Sequence, residues 1–453
     1  MRRVKIIATY GPSLDDDKLK SIVTKVDCIR VNLSHVKDID ELKLISDRID
    51  DARDRYNLYL AKMADLPGVK IRLGDIKDIN IRKGDIISFS NKKVEGAVPV
   101  DYDNLFEDIS EESIVVIGDG ELSFEVVEKG SNVIKAKALN DGILKARRGF
   151  SIKNGKLSAK VPTREDIELF KAVRKLNFDY VAESFVSSAL DIRKLRDIDK
   201  DINIIAKVET LEGLNNIDNI IDEADGLMIA RGDLAITVSL EKIPYIQKFL
   251  VKKARAARKL VIVATQLMSS MVSNTKPTRA EVNDVANAVY EGVDAVMLSE
   301  ETAIGRYPIE TVEQLNRIIE ENQLFGVDEL PLPTESPYDM IASAAASIVN
   351  SKFVEHIVSL TSTGATAKRV SAIRPNADII AVTLSRKVAR MLSLYYGVIP
   401  KLIDEDPSRY KDNISKLIEA ARSRLKELNI NRYVLLYGKP NVAGSTNTLT
   451  LEA

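Results

Sequence analysis

Eight short apolar runs, each followed by helical periodicity, constrain this chain more than any other feature. The runs cover residues 4–9, 28–33, 58–64, 180–183, 203–208, 226–230, 260–265 and 295–298. Most are continuously apolar rather than alternating, as expected for strands buried on both faces of a parallel sheet. Helical patterns lie between them, for example over residues 167–176 and 309–319. One opens with the capping box Thr278-Arg-Ala-Glu281, just after Pro277. Eight βα units in series predict an α/β fold of the (β/α)8, or TIM-barrel, type.

The rhythm breaks twice. Residues 68–155 hold 10 of the 21 glycines, with short alternating runs around turns such as Lys129-Gly130-Ser131. That texture predicts a small all-β domain inserted after the third strand. Near residues 328–337, Pro331, Pro333 and Pro337 interrupt helix and strand alike. Beyond them the α/β alternation returns, with strands near 356–360, 379–383 and 433–437, and predicts a smaller three-layer α/β domain. The expected layout is a discontinuous barrel over residues 1–69 and 163–327, an inserted β-barrel lid over 70–162, and a C-terminal domain over 328–453.

Composition removes several chemistries. Lys+Arg is 66 and Asp+Glu is 67, a formal charge of −1, so bulk charge predicts no nucleic-acid partner. No run of 18 apolar residues occurs, which predicts no membrane partner and a cytoplasmic location. The single cysteine, Cys28, excludes a disulfide framework and a cysteine-built zinc site. Two histidines, His35 and His356, leave little for a His-rich metal site or a Ser-His triad. Acid–base and metal chemistry must come from Asp, Glu, Lys, Arg, Ser and Thr.

In such a barrel the C-terminal strand ends build the active site. Here they carry Arg30, Asn32 and Ser34; Asp65; Glu183 and Ser184; Lys207 and Glu209; Arg231, Gly232 and Asp233; Thr265 and Gln266; Ser299, Glu300 and Glu301. Glu209 and Asp233, on adjacent strand ends, can share one Mg²⁺, with substrate oxygens and water completing its shell. Lys207 is a point charge for an anionic oxygen, and Arg30 and Arg72 add phosphate-binding forks. Two carboxylates, a lysine and two arginines suit phosphoryl chemistry, where positioning and charge neutralisation do most of the work. Neither a Walker A pattern nor a kinase-type glycine-rich loop is present. Gly118-Asp-Gly120 reads as a turn in the insert.

In this order and at these spacings, several segments resemble the pyruvate kinase family over essentially the full chain. They are residues 5–13, Arg30-Val-Asn-Leu-Ser-His35, residues 65–72, Lys207-Val-Glu209, Ala230-Arg-Gly-Asp-Leu234, Ala264-Thr-Gln266, residues 277–288 and Met297-Leu-Ser-Glu-Glu-Thr-Ala303. The resemblance implies phosphoryl transfer from phosphoenolpyruvate to ADP, giving pyruvate and ATP. It implies Glu209 and Asp233 as the Mg²⁺ ligands, with Mn²⁺ as the alternative ion, and Lys207 as the cation at the transferring group. It implies a substrate-carboxylate pocket made by the backbone of Arg231, Gly232 and Asp233 with Thr265. Arg30 becomes a phosphate contact, and Pro12, Asn32, His35 and Arg72 fall on the nucleotide side. A water relay past Thr265 and Ser299 is expected to protonate the enolate. The family further implies a homotetramer.

The chain departs from the family at the monovalent-cation region, matched by Asn32, Ser34, Asp65 and Leu66. K⁺-dependent members carry Glu where this chain has Lys70, and usually Thr where it has Leu66 and Leu73. Lys70 therefore reads as an internal cation, with K⁺ not required. Glu165 stands where the family has a nucleotide-contacting Lys, with Arg164 adjacent. In the C-terminal domain, Thr361, Ser362, Thr363, Gly364 and Thr366 match the family's effector-phosphate loop. Residues 438–445 are expected to close over it, for a phosphate-ester effector.

Three plainer expectations complete the reading. Residues 252–258 should be a solvated helix face. Leu267, Met268 and Met271 should be core, and Cys28 should be an inert buried thiol. Two rivals compete with the kinase: an Mg²⁺-dependent C–C lyase barrel, which lacks both extra domains, and a non-catalytic binding scaffold.

Overall fold

The computed structural model describes all residues except 1, 119, 154–157, 329, 331, 333, 411–412, 439–445 and 453. Eight parallel strands close into a barrel: Lys5–Thr9, Cys28–Asn32, Ala61–Asp65, Tyr180–Glu183, Asn203–Val208, Gly226–Ala230, Leu260–Ala264 and Ala295–Leu298. Here they are called the first to eighth barrel strands. Four of the eight predicted runs match residue for residue. The third begins three residues late, because residues 58–60 lead into the strand from the helix Ile39–Arg55.

Strand alternation sorts the side chains. Ile7, Cys28, Met63, Tyr180, Ile205, Met228 and Ile262 fill the barrel interior, whereas Ile6, Ile29, Val181, Ile204 and Val261 face the helices. Because both faces are covered, the runs read as continuously apolar. Helix starts follow local chemistry. Thr278 caps Arg279–Glu291 with its predicted Glu281 box, and Gly292 ends that helix at φ 73°. Thr163 and Asp166 form a second box at Arg164–Lys175.

Between the third and fourth barrel strands the chain builds a six-stranded sheet. Its order is Phe150–Lys153, Ile114–Ile117, Leu122–Lys129, Ile134–Ala138, Ile86–Ser90, Val98–Pro99. Phe89, Phe124 and Phe150 meet edge to face at its centre. The C-terminal sheet has five strands in the order Val398–Leu402, Asp378–Thr383, His356–Leu360, Tyr433–Gly438, Thr446–Glu452, the last antiparallel. Two of these, Val398–Leu402 and Thr446–Glu452, are absent from the sequence expectation. Both lack the continuous apolar run that marked the others.

The C-terminal domain docks on the N-terminal end of the barrel. Lys5 donates to the Val398 carbonyl at 2.7 Å, and Asp294 accepts the Tyr396 N–H at 3.0 Å. The β insert covers the opposite end. One expectation fails here. Within 252–258, Arg255 is only 3% exposed, because the turn that ends the helix Ile243–Ala256 faces this domain junction rather than solvent. Leu267, Met268 and Met271 are buried, and Cys28 is a buried free thiol whose pKa burial raises.

Candidate active site

A pocket of about 370 Å³ lies between the barrel mouth and the β insert. Arg30, Asn32, Ser34, Asp65, Leu66, Lys70, Arg72, Lys207, Glu209 and Asp233 all line it. Most converge because they sit at or just past the C-terminal end of a barrel strand, where the backbone leaves the sheet. Lys70 and Arg72 come from the segment that leads into the β insert, where Arg72 bridges to Gly149.

Asp65 is the hub. It is 1% exposed, and its Oδ2 lies 2.6 Å from Arg30 Nη2 while its Oδ1 lies 3.2 Å from Lys207 Nζ. Lys207 also pairs with Glu209 Oε1 at 3.0 Å and donates to Ser184 Oγ at 2.7 Å. Burial penalises the Lys207 charge, but Asp65 and Glu209 outweigh it and hold its pKa above the ordinary lysine value. Glu209 Oε2 accepts the Phe185 N–H at 2.7 Å. Desolvation, with Asp233 nearby, lifts the Glu209 carboxyl above the usual range despite the Lys207 ammonium. Arg30 donates to Thr9 Oγ1 at 3.0 Å, which fixes its fork across the floor.

Among the described residues, no group of three or more His, Cys, Asp or Glu is arranged to hold a metal. Two carboxylates, Glu209 and Asp233, in this pocket nevertheless fit a hard divalent ion that takes its other oxygens from substrate and water.

Lys70 lines the same pocket. Desolvation, with Arg72, Lys207 and Arg30 around it, lowers its pKa to about 8, against a partial pull upward from Asp65. His35 is exposed. Its pKa is lowered by desolvation and by Lys70, Arg72 and Arg30.

Arg231, Gly232, Thr265 and Ser299 occupy the neighbouring strand ends rather than the pocket lining. Thr265 Oγ1 donates to the Ala264 carbonyl at 2.6 Å and accepts the Gly232 N–H at 2.9 Å. Thr265 and Gln266 adopt φ 69° and 52°, a conformation especially strained for β-branched Thr265. Arg231 turns away from the pocket, its Nη1 against Asp284 at 2.7 Å and its Nη2 donating to the Thr265 carbonyl at 2.6 Å. Pro12 is exposed and lies outside the lining.

Sequence reasoning missed four parts. Arg147 and Arg148 reach the pocket from the insert. Ser184 bridges Lys207 to the Leu66 carbonyl, to which it donates at 2.7 Å. Glu301 accepts the N–H groups of Ser299 at 2.7 Å and Met268 at 3.1 Å. Ser184 and Glu301 were visible as polar strand ends, but nothing in the spacing gave them partners. The lid arginines carried no signal at all. Gly118 is a turn, as expected, and also lines the pocket.

The loop at 361–366 joins the strand His356–Leu360 to the helix Ala365–Ile373. Gly364 (φ 88°) donates to Thr361 Oγ1 at 2.8 Å, Ser362 and Thr363 are exposed, and buried Thr366 hydrogen-bonds to Thr446. Residues 439–445, expected to close over this loop, lie outside the described residues.

Known proteins share this layout. A family description of the pyruvate kinase barrel domain matches residues 1–312, and one of the pyruvate kinase alpha/beta domain matches residues 339–451. The chain is 34% identical over 463 residues to a pyruvate kinase of Methanocaldococcus jannaschii, spanning 100% of this chain and 99% of that one. It is also 34% identical over 478 residues to a pyruvate kinase of Clostridium perfringens, at 100% of both. In structure it is similar to a pyruvate kinase from Cryptosporidium parvum, with a TM-score of 0.90, 29% identity and coverage of 99% and 96%.

Proposed function

The chain belongs to the pyruvate kinase family, and from that premise we propose how its own residues carry the transfer. The enzyme is a phosphotransferase that moves the phosphoryl group of phosphoenolpyruvate to ADP, yielding pyruvate and ATP. Both rivals fail against this: the chain has both extra domains that the lyase barrels lack, and its catalytic charges are intact.

The observation that carries the assignment of roles is the Arg30–Asp65–Lys207–Glu209 chain of buried ion pairs. Asp65 and Glu209 keep Lys207 charged and immobile, so its ammonium needs no reorganisation when charge shifts toward the enolate oxygen. Arg30 and Arg72 hold phosphoryl oxygens. The N–H groups at 231–233, the turn that Thr265 organises, bind the substrate carboxylate. Asn32, His35 and Pro12 flank the nucleotide.

Glu209 and Asp233 would hold Mg²⁺, or Mn²⁺ in its place. A divalent ion there neutralises phosphoryl and enolate oxygens when bound. Lys70 takes the place of K⁺. Support comes from Asp65, whose two oxygens are both engaged by cations of the chain and leave no carboxylate for a further ion.

Thr265 and Ser299 relay the proton to the enolate through water. If Thr265→Val and Ser299→Ala both left solvent-proton exchange into pyruvate intact, the relay would be refuted.

The wider proposal is a homotetramer with a phosphate-ester effector at Thr361–Thr366. Exposed Leu240 and Tyr245 and the unpaired outer edge of Thr446–Glu452 support assembly. A cytoplasmic location fits the reaction, and no helix among the described residues is long and apolar enough to cross a membrane.

The test is pyruvate formation from phosphoenolpyruvate with a divalent ion, with and without ADP. ADP-dependent pyruvate with matching ATP is expected. Pyruvate release without ADP at the same rate would overturn the assignment of roles.

A further inference from the structure

The floor of the barrel carries a charge imbalance that catalysis does not use. Where the C-terminal domain meets it, a crevice of about 430 Å³ is lined by Arg3, Arg255, Arg374, Asn376, Tyr396 and Asp328, among others. A narrow second lobe, about 10 Å³, shares Arg255 and Arg374 and adds Lys259, Lys368 and Asp294. Arg258 also borders this lobe but is paired with Asp339 at 3.1 Å. Among the described residues that line the two lobes, this leaves Arg3, Arg255, Lys259, Lys368 and Arg374 against Asp294 and Asp328, with Asp225 also pulling on Lys259 and Lys368.

Asp294 has little left to offer. Its Oδ1 accepts the Tyr396 N–H at 3.0 Å, and its Oδ2 accepts the Val261 N–H at 3.0 Å and Arg374 Nη2 at 2.9 Å. Among the described residues, Arg255 donates to backbone carbonyls alone, Glu291 at 2.8 Å and Asp328 at 3.1 Å. The Nε atoms of Arg255 and of Arg3 are buried without an acceptor among the described residues. Among the described residues, Lys259 donates to the carbonyls of Ala224 at 2.8 Å and Asp222 at 3.2 Å and to no side chain. The Lys368 ammonium lies 5.2 Å from the Tyr395 ring centre and has no hydrogen-bond acceptor among the described residues. Crowding like charges in a half-buried junction is unfavourable unless an anion neutralises them. Desolvation accordingly lowers the pKa of Lys259 and Lys368, and lowers that of Arg255 to about 10 with help from Arg374.

We propose that this crevice binds a small dianion of the phosphate class, gripped by Arg3 and Arg255, with the positive charges of Arg374, Lys259 and Lys368 behind them. Arginine forks match tetrahedral oxyanions in pairs. Arg3, which donates through Nη1 to Asn376 Oδ1 at 2.7 Å, and Arg255 both keep donors to spare among the described residues, whereas Arg374 is held by the Gly292 carbonyl at 2.9 Å, the Ser371 carbonyl at 2.8 Å and Asp294. Arg3 precedes the first barrel strand, Arg255 ends the helix before the seventh, and Arg374 follows the C-terminal domain's helix Ala365–Ile373. The bound anion therefore ties that domain to the barrel. The site is separate from the loop at 361–366, which lies at the other end of the same helix.

The experiment follows the thermal midpoint of the full-length enzyme as inorganic phosphate is added. Saturating phosphoenolpyruvate and Mg²⁺ without ADP keep the active site filled, and chloride holds ionic strength constant. A saturable rise is expected in the native protein and in Ser362→Asp, which alters the loop. It should be lost in Lys368→Met and in Arg3→Met. Without phosphate, Lys368→Met should melt no lower than the native protein, since it removes an unpaired cation while keeping the stem over Tyr395. Absence of a saturable rise overturns the proposal. So does an equal rise in both Met variants, which would mark general salt stabilisation, or loss of the rise in Ser362→Asp, which would move the site to the loop.

Discussion

Arg30 and Lys207 are locked to each other through one carboxylate, each taking a different oxygen of buried Asp65, at 2.6 Å and 3.2 Å. Neither cation can move without leaving the other's partner half-compensated. Asp65→Asn removes the shared charge but keeps the shape. Leaving two buried cations with too little compensation should cost about 3–5 kcal/mol of stability. Lys207→Met also unpairs buried carboxylates and should lose stability, yet a folded fraction should bind phosphoenolpyruvate within a few-fold and lose about 10²–10³ or more in kcat. Calorimetric substrate binding beside coupled turnover distinguishes the two. Normal turnover in Lys207→Met would refute the assigned role.

Lys70 should make the enzyme independent of K⁺. Activity with tetramethylammonium as the only other monovalent cation should match activity in KCl. With a pKa near 8 in the free enzyme, Lys70 is charged below that pH and loses its charge above it. kcat/KM for phosphoenolpyruvate without K⁺ should therefore fall as pH rises through about 8, and added K⁺ should restore it. Lys70→Arg should abolish this alkaline limb. A large activation by KCl at neutral pH would contradict the reading.

Glu301 should be a positioning residue. It is 2% exposed and clamps the seventh and eighth strand ends through the Met268 and Ser299 N–H groups. Glu301→Ala leaves both donors unpaired, at about 1–3 kcal/mol each at most. It should also raise KM for phosphoenolpyruvate more than for ADP, because the loop it holds includes Thr265. An equal effect on both KM values would point to a purely structural role.

Glu183 is buried with both carboxyl oxygens lacking partners among the described residues. Desolvation, with Asp166 and Asp191 nearby, raises its pKa well above the ordinary value. The folded protein thus holds a proton that the unfolded chain releases above about pH 4.3. This group's contribution to stability is full below that pH and declines as pH rises toward the folded pKa. Glu183→Leu should raise the melting midpoint at neutral pH and flatten that slope. A lower midpoint at neutral pH would show that the carboxyl has an undescribed partner.

The barrel was legible because its information is local. A run such as residues 204–206 is apolar because helices and interior both cover it, and Lys207 and Glu209 then follow at the strand end. The strand Val398–Leu402 was not legible, since Pro400 and Lys401 interrupt its apolar pattern and only pairing with Asp378–Thr383 makes it a strand.

The sequence by itself determined which residue types could do the chemistry and that they lie at strand ends, because strand ends can be read from hydrophobic runs. Only the tertiary structure decided how they pair. That Asp65 serves Arg30 and Lys207, that Arg231 turns to Asp284, and that Arg255 is buried at a junction all depend on side chains brought together from distant parts of the chain. Charge interactions act across space, and spacing along a chain does not encode them.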